Sequence, residues 1–402
     1  MIDFESRRIV EALRSGVPSR AVGQYFSSAR PEIAGLIYGK LKKVCEDGSS
    51  DAMIISGKYG EGKTHMLNTV FDMARCNNMA VSFISLSKET PFDKLHLIYQ
   101  KLLQNTYLPK RLQPGFLDIL ADITPNHPLS VEMQAYTAKH LETDKLFYLF
   151  RSYFNTDDPD EKSILLADLE GDFVGGPALK KIYKRLFFEK VGNIGFSKTK
   201  NIGDYFNAVS RLFIQMGYSG WALLFDETEL IGRLGKKARL KAYRNMAQFL
   251  FPEQYSGMRA AFALFAVTSS FIEDVVEAKH EFENLKESDY GGTDYDATEK
   301  ALQAICGANR LLPLTNDEIS EIMNKLLRFY KQAYDWDREI DMAEIARRTE
   351  GRGYLLRTRI RAAVECLDQL YLYNQSGDVA IGNLEKISYE EDNPELIDNE
   401  NF

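Results

Sequence analysis

Gly57-Lys58-Tyr59-Gly60-Glu61-Gly62-Lys63-Thr64 fits the spacing G-x-x-x-x-G-K-[ST] without a gap. Each residue type in it has a chemical use. Glycines let the backbone turn tightly and aim successive N–H groups at phosphate oxygens. Lys63 supplies a point charge for β- and γ-phosphates, and the Thr64 hydroxyl can ligate magnesium. The segment therefore predicts a nucleoside triphosphate site with magnesium, spanning Gly57 to Thr64 and the adjoining His65. A short glycine pattern also arises by chance, so its setting decides. Here the loop follows the apolar run Ala52–Ser56 and opens a helix expected over Lys63–Cys76. The positive end of that helix dipole would face the phosphates.

The other half of such a site should be an apolar strand ending in acids. Trp221-Ala222-Leu223-Leu224-Phe225 runs into Asp226-Glu227. Asp226 would hold the magnesium through water, and Glu227 would orient and activate the attacking water. Two acids suggest hydrolysis; a helix cap after a core strand also favours Asp and Glu, but the upstream phosphate loop favours the catalytic reading. Glu229 reads as a weaker candidate or a solvated charge. A third strand, Ala261–Thr268, ends in Thr268-Ser269-Ser270. If the sheet sets it between the other two, Thr268, or else Ser269, would sense the γ-phosphate; otherwise these hydroxyls cap the next helix.

These residues need a scaffold. Ile9, Val10, Leu13 and Val17 recur at helical spacing, Pro18 breaks that helix, and a second helix is expected over 31–44. The strand before the glycine loop, the helix after it and the strand Ala80–Leu86 make a βαβ unit. The pattern from Phe92 to Met216 is mainly helical. A basic helix is expected over Lys236–Leu250, and helices again from Thr315 to Tyr373. Tyr389–Phe402 holds six acids and reads as a frayed tail.

The composition excludes some classes. Of 402 residues, 45% are hydrophobic and 27% charged, as in an ordinary globular protein. No apolar stretch reaches the roughly 18 residues of a membrane helix. The first residues, MIDFESRRIVEALRSG, lack the apolar region of a signal peptide. Cys45, Cys76, Cys306 and Cys366 form no CxxC pair, and the five histidines show no ligand spacing. The thiols read as reduced, in a cytoplasmic protein.

Glu11-Ala12-Leu13-Arg14-Ser15-Gly16-Val17-Pro18-Ser19-Arg20, the loop Gly57–Thr64 with His65, and Leu86-Ser87-Lys88-Glu89-Thr90-Pro91 together resemble the ATP-binding proteins of BREX phage-defence systems. The stretch Leu223–Glu229 fits the same pattern. The chain is more similar to the short BrxD type than to the long BrxC type. That family resembles AAA+ ATPases of the origin-recognition kind. The resemblance implies an α/β, AAA+-like three-layer sandwich with a C-terminal helical lid, ATP with magnesium as cofactors, and service in defence against foreign DNA, often beside a helicase. It also places Arg14, Val17 and Pro18 near the adenine, although Gly16 and Pro18 alone read as a helix stop. Arg357, after Gly353-Tyr354-Leu355-Leu356, would reach the γ-phosphate; Arg347, Arg348, Arg352, Arg359 and Arg361 surround it as alternatives. Arg310 would be an arginine finger offered to a neighbouring subunit, with Arg259 as an alternative.

Lys63 and Asp226 stand 163 residues apart, too far for a compact core with an unstructured loop. A helical insertion over about 105–205 is expected. The organisation is then 1–45 as N-terminal helices, 46–290 as the ATPase core with its insertion, 291–375 as the lid, and 376–402 as the acidic tail.

Net charge is −8, so nucleic-acid binding would need a local patch. Two exist. One holds Arg233, Lys236, Lys237, Arg239, Lys241 and Arg244; the other holds Lys180, Lys181, Lys184 and Arg185 in the insertion. Lys236, Lys237, Lys241 and Arg244 are the expected contacts to DNA phosphates, with a solvated helix face as the plain alternative. The sequence supports an oligomerising ATPase coupled to double-stranded DNA or a partner such as a helicase. Its rival is an ATP-dependent switch that recruits a protein effector. A small-molecule kinase would need an acceptor pocket that no segment supplies.

Overall fold

The computed structural model describes residues 3–15, 30–189, 191–192, 194–350 and 356–374. Val17, Pro18, Arg352 and the acidic tail at 376–402, all named above, lie outside them.

Six strands form one sheet: β1 (Asp51–Gly57), β2 (Met79–Ser85), β3 (Thr106–Tyr107), β4 (Gly220–Asp226), β5 (Ala261–Thr268) and β6 (Asn309–Arg310), in the order β3-β2-β4-β5-β1-β6. All neighbours pair in parallel except β2 with β3. β4 and β5 are buried along their whole length, which is why they read as unbroken apolar runs and not as alternation. The expected condition is met: β5 lies between β1 and β4. Gly57 at the end of β1 pairs with Thr268 at the end of β5, and the three motif-bearing strand ends sit side by side. Gly220 opens β4 where no side chain fits, since a Cβ there would lie 2.4 Å from the Ala260 carbonyl oxygen.

Helices cover both faces. After α1 (Phe4–Ser15), one face carries α2 (Pro31–Asp47) and α3 (Lys63–Cys76), packing Ile37, Leu41, Leu67 and Val70 onto Ile55, Leu224 and Leu264. On the other lie α4 (Leu95–Gln104), α5 (Pro128–His140), α6 (Lys145–Asn155), α7 (Pro159–Ala167), α8 (Gly176–Phe187), α9 (Ile202–Gln215), α10 (Lys236–Leu250) and α11 (Gly292–Cys306). Their aromatic core includes Phe225 stacked on Phe265 at 4.5 Å, with Phe92 and Phe249 edge-on.

The long helical stretch between β3 and β4 shares that core. A buried ion pair ties it together: Lys145 Nζ lies 2.6 Å from Asp168 Oδ2, and the Tyr205 hydroxyl donates to Asp168 Oδ1 at 2.6 Å. The Lys145 ammonium also sits 4.2 Å from the Phe196 ring. Burial of this kind stays tolerable only while both charges remain paired. The Tyr99 hydroxyl of α4 donates to the Leu169 carbonyl at 2.7 Å and so joins the insertion to the core.

A separate core forms from α12 (Asn316–Tyr334), α13 (Met342–Glu350) and α14 (Leu356–Tyr373), together with α1 (Phe4–Ser15). Ile9, Val10 and Leu13 of α1 bury against this lid, which draws the N-terminal helix to the C-terminal one. Thr315 and Glu318 close a capping box at the start of α12.

Candidate active site

The glycine loop joins β1 to α3 with Gly60 and Gly62 at positive φ, 78° and 91°, a conformation that costs other residues free energy. Glu61 folds back on the loop, its Oε2 accepting from the Lys58 N–H at 2.6 Å. Lys63 is buried, and its ammonium donates to the Gly57 and Lys58 carbonyls at 3.0 and 3.3 Å. Burial pulls its pKa down; the charges of Glu229, Asp226, Glu61 and Glu227 oppose that pull.

Thr64 and Asp226 meet across the gap between α3 and β4. The Thr64 hydroxyl donates to Asp226 Oδ2 at 2.6 Å. Both supply hard oxygens, the donor type a magnesium ion prefers. Among the described residues no group of three or more His, Cys, Asp or Glu could hold a metal. A magnesium ion at the Thr64–Asp226 pair would therefore take its remaining ligands from water and phosphate. Burial raises the pKa of Asp226 above the usual carboxylate range, against the pull of the Thr64 hydrogen bond.

Glu227 follows in the left-handed region at φ 54° and is exposed. A non-glycine residue held there is a strained one, a condition that clusters at active sites. Although the residue is open to solvent, partial desolvation of its carboxyl and the Asp226 charge raise its pKa. Glu229 behaves differently from its sequence reading. The tight turn after β4 carries it inward to 2% exposure, where Oε2 has no hydrogen-bond partner among the described residues. Burial lifts its pKa to about 7, with Lys63 the main opposing charge. It is not a solvated charge, because the turn Thr228–Arg233 packs Ile231 into the core and takes Glu229 with it.

Thr268 is buried beside Gly57, and the Ser269 N–H donates to the Gly57 carbonyl at 3.1 Å. From the lid, the Arg357 guanidinium lies 5.6 Å over the Tyr59 ring of the glycine loop, and its charge acts on Asp226 and Glu227. Lys63, Thr64, Asp226, Glu227, Thr268 and Arg357 are thus brought together.

Other expected residues stand elsewhere. Arg14 is engaged by the lid: Nη2 and Nε donate to Asp368 at 2.7 and 3.0 Å, and Glu11 and the Tyr334 hydroxyl complete the set. Arg310 is exposed on the edge strand β6, opposite Ser56 of β1. In α10, Arg239 is withdrawn from the surface into an ion pair with Glu281. Lys236 pairs with Glu287 at 3.1 Å and Arg244 with Asp294 at 2.9 Å. Lys237 and Lys241 make no ion pair among the described residues. In the second cluster Arg185 pairs with Glu161, while Lys181 and Lys184 are exposed.

Sequence reasoning missed Arg30. It caps α2 in the left-handed region, φ 60°. A Cβ built on Gly62 would lie 3.2 Å from its Nη1, while Nε donates to the Leu312 carbonyl at 2.9 Å and the Glu318 carboxylate accepts from its N–H at 3.2 Å. The one sequence signal was an arginine where Ser, Thr, Asp or Asn usually caps a helix.

No helix among the described residues is long and apolar enough to cross a membrane. A family model described as "BREX system ATP-binding protein BrxC/D" matches residues 3–138 and 151–377. No curated protein and no solved structure matches the chain significantly.

Proposed function

This chain belongs to the family of BREX system ATP-binding proteins BrxC/D, and we propose that within such a phage-defence system it hydrolyses ATP and couples that cycle to double-stranded DNA or to a DNA-processing partner such as a helicase. The observation that carries hydrolysis is the Thr64–Asp226 pair with Glu227 exposed beside it. A module that only binds nucleotide has no use for the second acid.

In this reading the loop N–H groups and Lys63 bind the phosphates, Lys63 leaving its backbone acceptors to do so. Thr64 and Asp226 would hold a magnesium ion, which would supply countercharge to the triphosphate. Glu227 orients the attacking water and accepts its proton. Thr268 and Arg357 stabilise the γ-phosphoryl oxygens from the sheet and the lid. Arg30 adds a cation beside Gly62. Arg310, or else Arg259, would complete a neighbour's site in an AAA+-like oligomer. The units would be those of the sequence reading, core, insertion, lid and tail, with the N-terminal helices bordering the adenine through Val17 and Pro18 and through Arg14 from its place against Asp368 of the lid. The BrxD type is the nearer pattern, and the cytoplasm the expected compartment.

A second reading, an ATP-dependent switch that recruits an effector without touching DNA, draws on the Arg357–Tyr59 contact. That contact bridges lid and loop and would respond to nucleotide. Steady-state hydrolysis with and without duplex DNA tests both readings. Glu227→Gln is expected to lose roughly 10²–10⁴-fold if Glu227 acts as base. DNA-stimulated turnover that this variant lacks supports the coupled ATPase. Nucleotide bound tightly, hydrolysed slowly and indifferent to DNA supports the switch.

A further inference from the structure

The basic region of α10 meets a lysine of the insertion, Lys198, at the first turn of α4. Asn245 of α10 donates to the Phe92 carbonyl at 2.9 Å, so α10 packs along the segment that leads into α4. Lys241 stands one helical turn before Asn245, next to Asp93 and Lys94. From the insertion, Lys198 lies 5.7 Å over the Phe173 ring, and Phe173 packs on Tyr99, one turn along α4 from His96. Gln100 of α4 donates to Asp172 at 3.1 Å and fixes the same junction. His96 feels all three cations: burial first, then Lys198, Lys94 and Lys241, push its pKa down.

Lys94, Lys198, Lys237 and Lys241 form no ion pair with a carboxylate among the described residues, in a protein of net charge −8. Their neighbours Lys236, Arg239 and Arg244 are all paired. One carboxylate, Asp93, stands among them; burial raises its pKa against the pull of Lys241 and Lys94. The uncapped N-terminus of α4 opens at the same place, adding partial positive charge.

We propose that Lys94 of α4, Lys198 of the insertion and Lys237 and Lys241 of α10 form one cationic surface that binds the phosphate backbone of duplex DNA. The occupant follows from charge type. Unpaired lysines on three elements are point charges without the planar fork that reads bases or grips single carboxylates. They match a repeating line of phosphates. The surface also gives the insertion a role: it supplies one wall of the contact. The inference rests on the DNA arm of the proposed function and revises the contacts expected from the sequence, replacing Lys236 and Arg244, which are paired with carboxylates, with Lys94 and Lys198.

The test is fluorescence anisotropy of the full chain with a labelled duplex of about 30 base pairs across a salt series. Lys94→Glu with Lys198→Glu is compared with Lys236→Ala and with wild type, and near-unchanged melting temperatures establish that each variant is folded. The expected result is a loss of about tenfold or more near 50 mM salt, and a salt slope shallower by about 0.9 for each phosphate contact removed. Lys236→Ala should bind as wild type does. Duplex binding that survives the double reversal with its slope intact overturns this surface while leaving DNA coupling in place. Absence of duplex binding by wild type overturns both. Equal affinity for poly-aspartate of matched charge overturns the assignment to nucleic acid.

Discussion

Replacing Glu229 with glutamine should stabilise the nucleotide-free protein, and only above mildly acidic pH. Glu229 is 2% exposed and its pKa is raised to about 7 from an ordinary 4.5. The folded state therefore holds a proton that the unfolded chain releases. The penalty is absent below about pH 4.5, grows as pH rises toward 7 and is constant above it. A shift from 4.5 to about 7 corresponds to about 3 kcal/mol. That figure is already net of the attraction to Lys63, since the Lys63 charge opposes the rise. Glutamine keeps the shape, carries no charge and supplies a donor. At pH 8 Glu229→Gln should thus melt several degrees above wild type, and the gap should close by pH 5. Differential scanning calorimetry of both proteins at pH 5, 6, 7 and 8 measures it. An equal gap at every pH, or a less stable variant at pH 8, would refute the claim that Glu229 is a buried carboxyl held against its charge. Magnesium and ATP should narrow the gap at pH 8 if the phosphates draw Lys63 away and a bound cation supplies countercharge.

Lys63→Ala should abolish nucleotide binding, read by titration calorimetry with ATP and magnesium, because among the described residues no other buried ammonium reaches the loop. Asp226→Asn should keep ATP binding without metal but lose the gain from magnesium, a difference visible by repeating the titration with chelator. Arg30→Ala should weaken ATP binding by about tenfold, the scale of one charge-assisted contact, and leave adenosine affinity unchanged if the guanidinium meets phosphate. Asp168→Asn should destabilise the fold by about 3–5 kcal/mol, since it leaves the Lys145 ammonium buried without its countercharge; chemical denaturation measures this, and a change under 1 kcal/mol would remove the ion pair as an anchor of the insertion.

The phosphate loop, the Asp226–Glu227 strand and the Thr268 strand were legible because parallel strands buried on both faces must be continuous apolar runs. Chemistry placed at their ends stands out against those runs. β3 and β6 were not legible, as two residues at a sheet edge carry no periodicity. The reading of Glu229 as a solvated charge failed because a charged residue three places beyond a strand has two fates, solvent or interior. The choice rests on the turn Thr228–Arg233 and on Ile231 entering the core, neither of which spacing discloses. Arg239 was misread for the same reason: its partner Glu281 lies 42 residues away in sequence, so the run of basic residues could not show that one of them is neutralised and buried.

The charge arrangement argues for a site completed by its ligand. Asp226, Glu227 and Glu229 stand around one buried lysine, Lys63, and burial is the first cause that raises the pKa of each, so the nucleotide-free pocket sets three carboxyls, disfavoured as anions, against that one ammonium. A triphosphate alone would worsen that imbalance, whereas a triphosphate carrying a divalent cation relieves it at Asp226. The lid bears on the same account. Arg357 meets Tyr59 from α14, and α14 shares its core with α1. Movement of Arg357 toward a phosphate is expected to carry α1 with it, because α1 shares a core with α14 and Arg14 binds Asp368 of α14. Breaking that link with Asp368→Asn should loosen the lid without touching the glycine loop. The expected outcome is a higher ATP requirement for turnover with little change in the maximal rate; an unchanged ATP dependence would mean that the lid moves without α1.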